Sequence, residues 1–142
     1  MESIMVWLDV TAPRYWWQEC DTYRHTTKQS ESSMHTLIKE LNTGDLKTIM
    51  KLFEPGGITE TDVTTFMEIA KDELTSENDK LLIIKKMLPE CFLQRRLLCT
   101  NYKTLRNIFQ QRMYHRLPHW QMFIQQVLEQ VKNPELLPGM EK

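Results

Sequence analysis

The stretch LPECFLQRRLLCTNYKTLRNIFQQR, residues 88–112, decides the fold class. Pro89 cannot continue a helix, so it stops whatever precedes it. Behind it Phe92, Leu97, Leu98 and Cys99, set around Gln94-Arg95-Arg96, fit an extended strand. That strand ends at Thr100-Asn101, where a side-chain oxygen can cap the helix that follows. Leu105, Ile108, Phe109 and Arg112 then share one face at helical spacing, predicting a helix from Tyr102 to about His115. A strand passing directly into an amphipathic helix, in a chain otherwise full of helical periodicity, gives an α+β protein.

Toward the C-terminus, Pro118 opens a last helix with the clearest apolar stripe of the chain: Trp120, Phe123, Ile124, Val127, Leu128 and Val131. Asn133-Pro134 closes it, and the tail is expected to fray. Toward the N-terminus, Leu37, Ile38 and Leu41 repeat at three and four, Asn42-Thr43-Gly44 interrupts them, and Leu46, Ile49, Met50 and Phe53 resume. Pro55-Gly56-Gly57 is a turn. Thr61 is expected to cap a helix bearing Phe66, Ile69, Ala70 and Leu74, and Ser76 another through Lys86. Met5 to Val10 reads as a short strand, with Val6, Leu8 and Val10 alternating against Trp7 and Asp9. Thr11 and Pro13 open a helical segment carrying Tyr15, Trp16, Trp17, Cys20 and Tyr23. His25 to His35 is polar except for Met34, hence a surface loop or the lining of a site. The expected whole is one predominantly helical domain over 1–142 with few short strands. Its parts are a strand, helix and polar loop (1–35), a helical segment (36–88), a strand with two helices (89–132) and a tail.

At 142 residues and 41% apolar, the chain can bury one real core. A formal net charge of −1 supplies no global field to gather polyanions, which argues against a general nucleic-acid binder. Cys20, Cys91 and Cys99 are odd in number and irregularly spaced, so neither a disulfide framework nor a zinc site is implied. No apolar run approaches the roughly 18–20 residues of a membrane span, and Met1-Glu2-Ser3 opens no signal peptide, so a soluble cytoplasmic protein is expected.

The chemistry concentrates in two polar clusters. There is no glycine-rich phosphate loop, G-x-S-x-G elbow or HExxH, so phosphate binding would fall to side chains. Pro118 separates His115 from His119, and His25 and His35 have no acidic neighbour at ligand spacing, so no metal is expected. The first cluster, Tyr23 to His35, combines Arg24, hydroxyls and Gln29, which suits an anionic ligand as well as it suits a hydrophilic loop. The second holds Arg95, Arg96, Asn101, Lys103, Arg106, Arg112 and Arg116. Lys103 and Arg106 fit a solvated helix face. Arg112 lies near the apolar face of its helix and needs a partner, either a structural carboxylate or a ligand phosphate.

In order and spacing these clusters resemble the flavin-dependent thymidylate synthases. The family signature R-H-R-x-x-S-x-N-E-x-S-x-R-Y, aligned with Arg24 on its third position, puts Thr27 on the first Ser, Gln29 on the Asn, Ser30 on the Glu, Ser32 on the second Ser and His35 on the Tyr. The later family pattern of L-P, a strand and N-x-x-x-L-x-x-F-x-x-x-R is similar to Leu88-Pro89 followed by Asn101, Leu105 and Arg112 at that spacing, with Phe109 one position beyond the pattern's Phe. Pro118, His119, Trp120 and Gln121 stand where the family's A-Q-x-E helix opens. The resemblance covers about 5–35 and 88–128.

What this implies is a pocket for FAD and a pyrimidine nucleotide such as dUMP, at subunit interfaces of a homo-oligomer (dimer or tetramer). NADPH and methylenetetrahydrofolate join only if catalysis is retained. By motif position Arg24 would face a phosphate, Gln29 and Asn101 a base or ring edge, and Thr27, Ser30, Ser32, His35 and Arg112 the rest of the pocket. His119 would stand in for the family's Gln. The departures are Thr22 and Tyr23 for the signature's first Arg and His, Ser30 for its Glu and Met34 for its last Arg. Two functions follow from the resemblance: a divergent synthase, or a non-catalytic protein of the same fold that binds or sequesters a nucleotide, in the style of small phage proteins. A third reading makes the stripe from Trp120 to Val131 a partner surface of a helical interaction module. Tyr15-Trp16-Trp17 reads first as core or subunit interface and second as a stacking platform.

Overall fold

Alternation at the N-terminus produces strand β1 (Met5–Pro13), with Val6 buried, Leu8 and Val10 half-buried, and Trp7 and Asp9 exposed. The computed structural model describes residues 1–30 and 33–138, without the side chains of residues 30 and 33–35. After β1 come α1 (Arg14–Cys20), β2 (Thr27–Ser30), α2 (Ser33–Thr43), α3 (Leu46–Met50), α4 (Glu60–Lys71) and α5 (Glu77–Met87). The decisive stretch becomes β3 (Leu93–Asn101) and α6 (Tyr102–Arg112), and α7 (Pro118–Gln130) follows. The strands form one sheet in the order β1-β3-β2, with β3 central. The fold is α+β and mainly helical, and no helix among the described residues is long and apolar enough to cross a membrane.

The chain divides into two compact units. One comprises residues 11–17 and 30–96. Its core joins Leu37, Ile38 and Leu41 of α2, Ile49 of α3, Val63, Phe66 and Ala70 of α4, and Ile84 of α5 to Phe53 and Phe92. Apart from Ala70, each of these side chains contributes about 1.5–3 kcal/mol by leaving water. Ser76 caps α5 as expected. The α4 cap is Thr59, in a reciprocal box with Asp62, and not Thr61: only Thr59 has an acidic side chain three residues on to return the hydrogen bond. The turn at Pro55-Gly56-Gly57 needs both glycines. Gly56 has φ of +82°, and a Cβ on Gly57 would stand 2.7 Å from the Cys91 Sγ. Trp16 and Trp17 are core, and the Trp17 indole donates to the Gln94 carbonyl at 3.0 Å beneath the Arg96 guanidinium.

The other unit comprises residues 1–10, 18–29 and 97–142. Here Leu105, Ile108 and Phe109 of α6 pack with Trp120, Phe123, Ile124 and Val127 of α7 in a core that also holds Leu98 and Tyr102. The stripe read as a partner surface is therefore this unit's own interior. Two expectations change. The polar stretch after His25 contains a strand, β2, because Lys28 turns inward to pair with Asp21 while Thr27 and Gln29 stay exposed; an edge strand with such a pattern has no apolar face to read. The tail makes a 3-10 turn at Pro134–Leu136 with Leu137 buried behind it.

Candidate functional site

Helix α6 presents its second face to an open cleft. The period that buries Tyr102, Leu105, Ile108 and Phe109 puts Lys103, Arg106, Asn107, Gln110 and Gln111 on the opposite side. These residues, with Asn101 and Thr104, form one wall; Thr22, Tyr23, Arg24 and His25 form the other, and Glu2 lies at the margin. The cleft holds about 770 Å³, within the range of small-molecule sites. All of it lies in one unit.

Its charge is opposite to that of the chain. Arg24, Lys103 and Arg106 against Glu2 give three positive charges to one negative, a local excess of two on a protein of net charge −1. Lys103 pairs with Glu2, whose carboxyl is held below its usual range by that hydrogen bond and charge. Among the described residues no carboxylate pairs with Arg24 or Arg106. Asn101 both lines the cleft and caps α6, its Oδ1 accepting from the Thr104 N–H at 2.8 Å. The Asn107 and Gln111 amides are joined at 3.3 Å. Two guanidiniums with no carboxylate partner among the described residues stand beside a row of amides, a donor set that suits an anion with hydrogen-bonding edges.

The loop wall is held from behind. His25 has φ of +61°, the left-handed region that a non-glycine residue enters at a cost. Its carbonyl accepts from the Thr100 hydroxyl at 3.2 Å, and the Tyr23 hydroxyl accepts from Arg112 Nε at 2.7 Å.

Arg112 belongs to a separate polar cluster in the same unit. Glu19 Oε2 accepts from Arg112 at 3.0 Å and from the Trp120 indole at 2.8 Å, with His115 Nε2 at 3.5 Å. The Arg112 guanidinium also lies over the Trp120 ring, 4.8 Å from its centroid. Glu19 was not singled out from the sequence, and no spacing signals a partnership that spans 93 residues.

The sequence-derived site residues thus separate. Arg24 and Asn101 meet on the cleft. Arg112 is bound to Glu19 and Tyr23. His119 sits half-buried in the first turn of α7 and does not line the cleft. Thr27 and Gln29 lie exposed on β2. The side chains of Ser30 and His35 lie outside the described residues, as does the whole of Ser32. Lys103 and Arg106, read as a solvated face, line the cleft; Asn107, Gln110 and Gln111 were missed, although polar residues at 103, 106–107 and 110–111 recur with the helical period. A second groove, about 420 Å³ between α2 and α5, has one cation (Lys39) and one anion (Glu77) and none of these residues.

No protein-family model matches the chain, and no curated protein matches its sequence. Its fold is similar to the crystal structure of the flavin-dependent thymidylate synthase ThyX from Helicobacter pylori complexed with FAD and dUMP, with a TM-score of 0.71 and 17% identity over 97% of this chain and 73% of that one. A second structure of ThyX from the same organism, with FAD and dUMP, aligns with a TM-score of 0.67 and 16% identity over 93% of this chain and 69% of that one. At these identities the likeness is one of fold.

Proposed function

We propose that the cleft binds a pyrimidine nucleotide, with Arg24 and Arg106 on its phosphate and the α6 amides at its ring edges, and that FAD is the cofactor this fold serves. The observation that carries the reading is the pair of cationic side chains with no carboxylate partner among the described residues, on an amide-lined cleft, in a chain folded like proteins solved with FAD and dUMP. The donor set fits a flavin dinucleotide as well: guanidiniums suit its pyrophosphate and amides its ring system. When bound, a flavin supplies hydride chemistry. The chain's own part is binding and orientation. NADPH and methylenetetrahydrofolate enter only if turnover survives.

A second reading, binding or sequestration without turnover, is favoured by one specific feature. Arg112, which the resemblance assigns to the nucleotide pocket, already donates to Glu19 and Tyr23. A ligand phosphate would have to displace a half-buried ion pair. The remaining proposals are a cytoplasmic location, a phage source, one functional module over the whole chain, and a homo-oligomer. Trp16, Trp17 and Trp120 are buried within the chain, while Met5, Trp7 and Leu97 remain exposed, Trp7 at 66%, and such apolar surface supports the oligomer.

The test is the visible absorption of the purified protein after incubation with excess FAD and desalting, followed by a dUMP titration. Retained flavin bands and dUMP binding support the synthase-like pocket. Loss of FAD with dUMP recovered unchanged from a tight complex supports sequestration. Failure to bind either ligand removes the proposal.

A further inference from the structure

We propose that Thr100 is a positioning residue for the cleft: its hydroxyl holds the left-handed turn at His25 and thereby aims Arg24 at the ligand. This rests on the nucleotide-binding reading of the cleft given above. Thr100 is the penultimate residue of β3 and fully buried, at 0% exposure. Its hydroxyl reaches 75 residues back along the chain to the His25 carbonyl at 3.2 Å. His25 is the non-glycine residue with positive φ among those described, and it lies on the cleft wall beside Arg24.

A left-handed non-glycine residue persists only where its surroundings over-determine it. Contacts on both sides of Arg24 do so here, and the Thr26 hydroxyl donates to the Tyr23 carbonyl at 3.1 Å across the turn. On one side the Tyr23 hydroxyl accepts from Arg112, and Tyr23 packs edge-on against Trp120 with ring centroids 6.2 Å apart. On the other the Thr100 hydroxyl holds the His25 carbonyl. The exposed Arg24 has no ion pair among the described residues to fix it, so its direction comes from the backbone on either side. Thr100 also adjoins Asn101, which caps α6, so one strand end sets both walls of the cleft.

The experiment compares the wild-type chain with Thr100→Val, which keeps the shape and loses the hydroxyl, and with Thr100→Ser, which keeps the hydroxyl. Trypsin cleavage after Arg24, followed by mass spectrometry, reads the turn, and dUMP titration reads the site; thermal unfolding checks that each variant is folded. Should Thr100→Val melt, Thr100→Ala carries the same prediction without an added methyl. Expected are faster cleavage after Arg24 and dUMP binding about five-fold weaker in the valine variant, the worth of one neutral hydrogen bond, with both restored by serine. Wild-type cleavage together with wild-type affinity in Thr100→Val overturns the proposal, as does faster cleavage with unchanged affinity. If the wild type binds no dUMP, the nucleotide reading falls; faster cleavage then still supports the anchoring of the turn, and unchanged cleavage overturns that too.

Discussion

Two groups of arginines in the same unit have opposite surroundings. Arg112 is ringed by partners: Glu19 takes its hydrogen bond, Tyr23 another, and Trp120 covers its plane. Arg24 and Arg106 line an open cleft beside amides and have no carboxylate of their own among the described residues. A guanidinium satisfied inside the protein stabilises the fold. One left facing a cavity is available to a ligand. From sequence Arg112 differs from Arg106 only in lying near the apolar face of its helix, and it is the partner found in the fold that separates it from Arg24 and Arg106.

The comparison breaks most readily at Glu19. Glu19→Ala leaves Arg112 half-buried without its carboxylate and strips the buried Trp120 indole of an acceptor. Stability should fall by about 2–4 kcal/mol, seen as a drop of roughly 6–12 °C in Tm. An unchanged Tm would mean that the cluster is solvated and dispensable. Arg24→Ala and Arg106→Ala should do the reverse: each weakens dUMP binding about ten-fold or more, while Tm stays within about 2 °C. Loss of stability without loss of affinity in these variants would erase the distinction.

Tyr23→Phe tests a residue shared by both regions. Removing the hydroxyl that accepts from Arg112 should lower stability by about 1 kcal/mol and weaken dUMP binding by a factor of about two to five, since Tyr23 also lines the cleft. The smallest effect belongs to Glu2→Gln. The Glu2–Lys103 pair is exposed on both sides, so its loss should leave Tm unchanged. Lys103 then turns to the ligand, and dUMP affinity rises roughly two-fold at low salt, with the gain vanishing at high salt. Weaker binding in this variant would place Glu2 among the ligand contacts.

Much of the architecture was legible because it rests on periodicity. The stop at Pro89, the strand to Asn101, the cap there and the stripe of α7 all come from local rules that tertiary packing reinforces. β2 was hidden because Thr27-Lys28-Gln29-Ser30 has no apolar residue; it pairs with β3 at the sheet edge, and the inward pair of Lys28 with Asp21 is one that spacing does not announce. On the cleft, Arg24 and Asn101 are residues that motif position also singles out. Arg112 was marked as needing a partner, but that partner is Glu19, far off in sequence and tied to it only by the fold. The α6 amides were overlooked because a polar helix face usually means solvent. Here the facing loop turns it into a wall.

The central claim is that Arg24 and Arg106, which have no carboxylate partner among the described residues, recruit a nucleotide to the cleft. Calorimetric titration of dUMP into the wild type and into the double variant Arg24→Ala/Arg106→Ala, at low salt, tests it most directly. The account predicts saturable binding to the wild type and a loss of about a hundred-fold or more in the double variant, with both proteins equally folded. Equal affinity in the two proteins, or no binding to a folded wild type, would contradict it.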